Sequence, residues 1–160
     1  MTENIQQYHD IRLMALKESP TSFTGDYARE KAYGLEKLTR IVTPTDNRFI
    51  LGVFVENQLI ATIGFTASEL PKAKHKAYIW GVYTRPNYRN RGLARKLLTK
   101  LCAVALAKDD IGLLQLNVNS CNKSVIKLYE SFGFKEYGLE KDSLRHNNKS
   151  FDKLLMCLVL

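Results

Sequence analysis

The chain has 160 residues, 45% of them hydrophobic and 25% charged; this is enough for one ordinary globular core and unlike a disordered or fibrous composition, so a single domain over residues 1–160 is expected. Its 24 Lys and Arg against 16 Asp and Glu give a formal charge of +8, which raises nucleic acid, anionic lipid or an anionic small molecule as partners without choosing among them. The longest purely apolar runs, residues 101–107 and 154–160, have seven residues each, and "MTENIQQYHD" lacks a basic and apolar leader, which argues against a membrane span or a secretory signal.

In chain order, "YHDIRLMALKESPTSF" places Ile11, Leu13, Met14 and Leu16 near helical spacing before Pro20, and "GDYAREKAYGLEKLTRIV" is rich in helix formers, so two helices are expected. From Arg48 the period changes. "RFILGVFVENQLIATIGFTA" reads as a hairpin of two strands turning at Glu56, Asn57 and Gln58, and "KAYIWGVYT" as a third strand ended by Pro86 and Asn87. A helix follows with Leu93, Ala94, Leu97, Leu98, Leu101, Val104 and Ala105 on one face and Arg95, Lys96 and Lys100 on the other. "GLLQLNV" is a short buried strand, "NKSVIKLYESFG" a short helix closed by Gly133, and "FKEYGLE" and "SFDKLLMCLVL" are two last strands joined by a polar turn at residues 146–149. The order is helix, helix, β, β, β, α, β, α, β, β, an α/β fold with a mixed sheet. Cys102, Cys121 and Cys157 are odd in number without CxxC spacing, so no disulfide framework and no metal site is suggested, and a reducing cytoplasm is the natural compartment.

The positive charge is concentrated in "RPNYRNRGLARKLLTKL", which holds six Lys or Arg and no acid. It lies where a strand runs through a loop into a helix, and a helix N-terminus offers unpaired N–H groups to an anion. Gly92 lets a ligand approach the backbone, Ala94 keeps the next turn small, and Arg89 and Arg91 add charge. Neither GxxxxGK(S/T) nor a GxGxxG after a strand occurs, so the nucleotide-triphosphatase and dinucleotide loops fail on spacing.

Arg89, Gly92 and Ala94 fit R/Q-x-x-G-x-G/A, and about thirty residues later "NVNSCNKSVIKLYESFGF" supplies Asn122, Tyr129, Gly133 and Phe134. Together they resemble the coenzyme A loop and the following segment of the GNAT family of N-acetyltransferases, over residues 48–160, and the opening helix is similar to the family's first. The strand that usually precedes that helix has no clear counterpart here. The resemblance implies a GNAT-like mixed, mostly antiparallel central sheet, splayed between two neighbouring strands and flanked by helices. It implies an enzyme that uses acetyl-coenzyme A and an amine acceptor, with no metal. The backbone of Val82, Tyr83 and Thr84 would pair with the pantetheine arm. Arg89, Asn90, Arg91, Gly92, Leu93, Ala94 and Arg95 would wrap the pyrophosphate, and Asn122 and Ser124 would line the far wall.

The same resemblance puts Tyr129 in the place of the general acid, where a phenol of pKa about 10 can protonate a thiolate without itself being ionised; without it, Tyr129 reads as a core aromatic beside Val125, Leu128 and Phe132. The backbone N–H of Val82 or Tyr83 is the oxyanion donor expected. A base is harder to find. Family members acting on peptide N-termini carry a Glu where Asn117 stands, which leaves Glu69 as a candidate against a solvated loop residue; His9, His75 and His146 read as surface residues, and Cys121 as packing rather than a covalent relay. Direct attack in a ternary complex is expected, with a non-catalytic acyl-coenzyme A binding module as the alternative that Asn117 motivates. A nucleic-acid binder finds no motif, because the aromatics sit in apolar β runs. Expected acceptor walls are the first two helices, residues 69–76 and the closing hairpin, with Tyr27, Tyr33, Trp80 and Phe151; Lys72, Lys74 and Lys76 disfavour a polyamine against an amino acid or a peptide. The apolar last strand is either core or the edge of a homodimer.

Overall fold

The computed structural model describes residues 2–160. Helices α1 (Thr2–Glu18), α2 (Tyr27–Lys31) and α3 (Leu35–Val42) precede strands β1 (Arg48–Val55), β2 (Gln58–Ala67) and β3 (Lys76–Thr84). Helix α4 (Leu93–Leu106), β4 (Leu113–Asn119), α5 (Lys123–Glu130), β5 (Lys135–His146) and β6 (Lys149–Val159) complete the chain. The expected second helix is two, parted before Gly34, which caps α3 in an extended conformation. No strand precedes α1 among the described residues. That helix buries Ile5, Tyr8, Ile11, Ala15 and Leu16, whereas Met14 is exposed, so its core face is set by the i, i+3, i+4 spacing begun at Ile5.

The sheet has the order β1-β2-β3-β4-β6-β5, with one parallel neighbour pair, β3 and β4. The hairpin turns use left-handed residues, Glu56 and Asn57 (φ 48° and 62°) before β2 and Asn147 and Asn148 (φ 50° and 59°) before β6; this is the turn geometry whose twist matches paired strands. Strand β5 runs six residues beyond the expected segment, to His146, because two register shifts carry it past its irregular middle. Strand β6 pairs on both sides. The apolar last strand is therefore interior, and the dimer-edge reading of it fails.

One face of the sheet packs on α4 and α5 through Ile63, Phe65, Leu98, Leu101, Leu114 and Met156, all at most 1% exposed. Phe49 stacks on Phe65 at 4.7 Å. On the other face a smaller cluster joins Tyr8, Ile11 and Ala15 of α1 to Leu59 and Tyr83. Beyond β3 that second face carries Tyr78, Trp80, Asn117, Asn119 and Lys153 instead of apolar side chains, and there the cleft opens.

Candidate active site

The parallel strands pair only at Lys76–Tyr78 against Leu113–Gln115 and then part. The gap between them is the mouth of a cleft of about 750 Å3. Strand β3 also bulges there: Thr62 and Gly64 of β2 face Tyr83 and Trp80, so Gly81 and Val82 stand opposite one residue. Gly81 takes φ +61°, and its carbonyl accepts a hydrogen bond from the Thr62 hydroxyl at 3.0 Å. Gly64 is required for a different reason, because a Cβ there would lie 2.5 Å from the Trp80 ring. Trp80 is thus laid flat on β2, with its Nε1 donating to the Thr66 hydroxyl at 2.9 Å.

At one end of the cleft the chain leaves β3 through a single 3-10 turn, Pro86–Tyr88, and enters α4 at Gly92 (φ +72°). No side chain caps α4 and no acid stands in its first turn, so its leading N–H groups and dipole are left for an anion. The predicted loop residues line this end with one exception: Arg91 lies over the Tyr88 ring at 5.2 Å, outside the cleft walls. Arg89 lines the cleft but is held by α1. It pairs with Glu18 at 2.7 Å, donates from Nε to the Thr84 carbonyl at 3.0 Å, and sits over the Tyr83 ring. The Tyr83 phenol also hydrogen-bonds Glu18, and burial, then that carboxylate, push its pKa up to about 12. Arg95 donates to the Ser131 hydroxyl. Asn122 caps α5, its Oδ1 accepting from the Val125 N–H and the Ser124 hydroxyl.

Tyr129 is 4% exposed, tilts against Phe134 at 5.7 Å, and lines the cleft. Burial holds its pKa well above the ordinary phenol value, and its hydroxyl makes no hydrogen bond among the described residues. The core reading and the cleft reading of this side chain both hold. Asn117 is exposed and lines the wall, and Cys121 is exposed and lies outside it. Glu69 is exposed and also outside the walls, so the structure does not bring it to the site. His9 corrects the expectation of a surface residue: it is 8% exposed, with Nε2 2.8 Å from the Glu30 carbonyl, because the face of α1 that carries it packs on α2.

The far end is built by residues that sequence reasoning missed. Of the expected aromatic walls only Trp80 lines the cleft; Tyr27 and Tyr33 lie beside Lys31 and Lys37, and Phe151 is outside. The wall is instead the α1–α2 connection, residues 19–25, with Arg12, Asn119 and Lys153. Arg12 forms a two-bond pair with Glu30 at 2.7 and 2.8 Å, and any Cβ at Gly25 would collide with that pair. Asn119 donates to the Thr21 carbonyl at 3.0 Å, and Lys153, 3% exposed, donates to the Thr24 hydroxyl at 2.8 Å. The one signal in the sequence was a lysine standing directly before the apolar run of "SFDKLLMCLVL". No Asp or Glu lines the cleft among the described residues.

The uncapped basic helix N-terminus stands where the glycine loop predicted an anion site, and it flanks a cleft between parted parallel strands. The sequence pattern of the Acetyltransferase (GNAT) family matches residues 12–134. The chain belongs to the GNAT acetyltransferase family. It is an acetyl-coenzyme A dependent N-acetyltransferase. Among curated relatives, the [Ribosomal protein bS18]-alanine N-acetyltransferase of Escherichia coli is 28% identical over 111 residues, 69% of this chain and 72% of that one. Among solved structures, the ribosomal-protein-alanine N-acetyltransferase of Brucella melitensis superposes with a TM-score of 0.78 at 21% identity, covering 100% of this chain and 96% of that one. A Salmonella typhimurium acetyltransferase crystallised with acetyl-coenzyme A gives a TM-score of 0.78 at 18% identity, over 100% and 90% of the two chains. The GNAT acetyltransferase fold expected from the sequence is therefore the one found.

Proposed function

We propose that this GNAT enzyme acetylates a primary amine by direct attack in a ternary complex within the cleft, with Tyr129 as general acid. Bound acetyl-coenzyme A supplies a thioester whose carbonyl carbon takes the amine and whose sulfur leaves. The observation that carries the reading is that the Gly81 bulge, Tyr129 and the N-terminus of α4 all face one cleft. The N–H groups of Leu93, Ala94 and Arg95 hold the pyrophosphate, with Asn90, Arg91 and Arg95 adding to the field around it. The backbone of Val82, Tyr83 and Thr84 pairs with the pantetheine arm, and Asn122 and Ser124 bound it opposite. The bulge frees a backbone N–H of β3, at Val82 or Tyr83, to stabilise the charge developing on the carbonyl oxygen.

Tyr129 gives its proton to the departing sulfur and regains one from solvent. Burial makes the phenol a weaker acid, and the same dry surroundings make the thiolate a stronger base, so the match between them is kept. With no carboxylate on the walls, the amine loses its proton to water, which the exposed Asn117 amide can hold. The relatives from Escherichia coli and Brucella melitensis are named for ribosomal-protein alanine; an amino acid or a peptide amino terminus is the acceptor class here, and a polyamine is disfavoured by a cleft without acids. The three free cysteines support a reducing cytoplasm as its compartment.

The test is coenzyme A release with a panel of amines, comparing wild type with Tyr129→Phe. The variant should lose about 100-fold in kcat while its Kd for acetyl-coenzyme A changes less than about twofold, since no contact to the coenzyme's phosphates is removed. Unchanged kcat would remove Tyr129 from the chemistry.

A further inference from the structure

The charges around the cleft do not balance evenly. Arg12 and Arg89 each line it with a carboxylate already in place, Glu30 and Glu18, at 2.7 Å. Arg95 stands at the α4 end, where the pyrophosphate is proposed to lie. At the opposite end Lys153 has no carboxylate within ion-pair distance among the described residues, although it is 3% exposed. Glu140 faces it in register on β5, but that carboxylate accepts from the Ser143 hydroxyl and makes no ion pair with Lys153.

A buried ammonium is costly unless it is paired, and replacing such a charge with an apolar side chain of similar size is often stabilising. Lys153 has three N–H donors and uses one, on Thr24. The segment that carries Thr24 is itself anchored, because Asn119, the cross-strand neighbour of Lys153, donates to the Thr21 carbonyl and accepts from the Cys121 N–H. The ammonium is thus oriented on a wall of the cleft with donors to spare and no ion pair. Burial lowers its pKa by desolvating the charged form, the Glu140 charge offsets this only in part, and an incoming anion would relieve the rest.

We propose that Lys153 is the specificity-determining residue of the acceptor site, binding a carboxylate carried by the amine that is acetylated. The inference rests on the amine-acceptor reading above and narrows it: the substrate is an amine bearing an acid, either as a free amino acid or as a peptide amino terminus next to an acidic side chain. Both sources present the same group to Lys153.

The experiment measures kcat/KM for two matched pairs of acceptors, a panel of free amino acids against their carboxamides, and short peptides with Glu against the same peptides with Gln. Wild type should favour the acid member of at least one pair by about tenfold, the expected size of one charge-assisted contact; which pair responds identifies the source. In Lys153→Met that ratio should fall to near one, and in Lys153→Arg it should be largely kept. The wild-type ratio needs no variant to fold, and Lys153→Met should melt no lower than wild type. Ratios near one in wild type for both pairs, or a ratio that survives in Lys153→Met, would overturn the assignment. Equal loss of kcat for both members of a pair would also overturn it, making Lys153 a group in the chemistry. Failure to acetylate any amine would instead strike down the amine-acceptor reading, and the inference with it.

Discussion

The two ends of the cleft are made of different material. The proposed coenzyme end is built from backbone: a glycine in the left-handed region opens α4, a second glycine bulges β3, and Arg89, the arginine of the loop motif, is held by Glu18 of α1. The proposed acceptor end is built from side chains, with Arg12 on Glu30, Asn119 on Thr21 and Lys153 on Thr24 fixing the connection between α1 and α2. Backbone donors suit a ligand common to a whole family, since they do not depend on which side chains surround them. Side-chain networks suit the acceptor, where one substitution changes the partner.

That contrast can be broken at the acceptor end first. Arg12→Met leaves the Glu30 carboxylate buried without its partner and should cost about 3 kcal/mol of stability, read from the urea midpoint, with a rise in acceptor KM and little change in coenzyme affinity. Gly64→Ala places a methyl group against the Trp80 ring and should cost about 2 kcal/mol as overpacking, again raising acceptor KM as the ring is pushed from its place.

The coenzyme end should respond more mildly to its side chains. Glu18→Gln removes a carboxylate near the phosphate site and frees Arg89, so acetyl-coenzyme A should bind about two- to threefold tighter at low salt, with the gain shrinking as salt is raised. The smallest effect concerns alkaline pH. Tyr83 and Tyr129 have folded-state pKa values above the ordinary 10.0, so folding favours their protonated forms. The stability they contribute is fully present below about pH 10 and is lost as pH rises through about 12, where Tyr83 titrates. Thermal melts should be insensitive to these phenols up to about pH 10 and fall above it.

The same division explains what was legible in the sequence. Gly92, Ala94 and Arg89 report a backbone conformation at fixed spacing, and Asn122 to Phe134 report a cap, a helix and its stop, so the local structure at the proposed coenzyme end could be read from pattern. Sheet elements were readable for the same reason, since turn residues and period-two apolar runs are local. The acceptor end could not be read, because Arg12 meets Glu30 and Lys153 meets Thr24 across 18 and 129 residues of chain. Tyr27 and Tyr33 were credible walls by composition, yet α2 and α3 present them to their own lysines. Arg89 shows the limit even where the pattern is strong: its position was legible, whereas its capture by Glu18, 71 positions upstream, depended on the packing of α1.

Backbone, rather than the loop arginine, makes the proposed coenzyme site. Calorimetric titration of acetyl-coenzyme A into wild type, Arg89→Ala and Gly92→Val tests it directly. A β-branched residue at φ +72° strains the entry to α4 by at least about 1–2 kcal/mol, so Gly92→Val should weaken binding about tenfold or more, whereas Arg89→Ala should change it less than about threefold, as befits an arginine already paired. Loss of binding in Arg89→Ala, with Gly92→Val binding like wild type, would instead assign the site to its side chains.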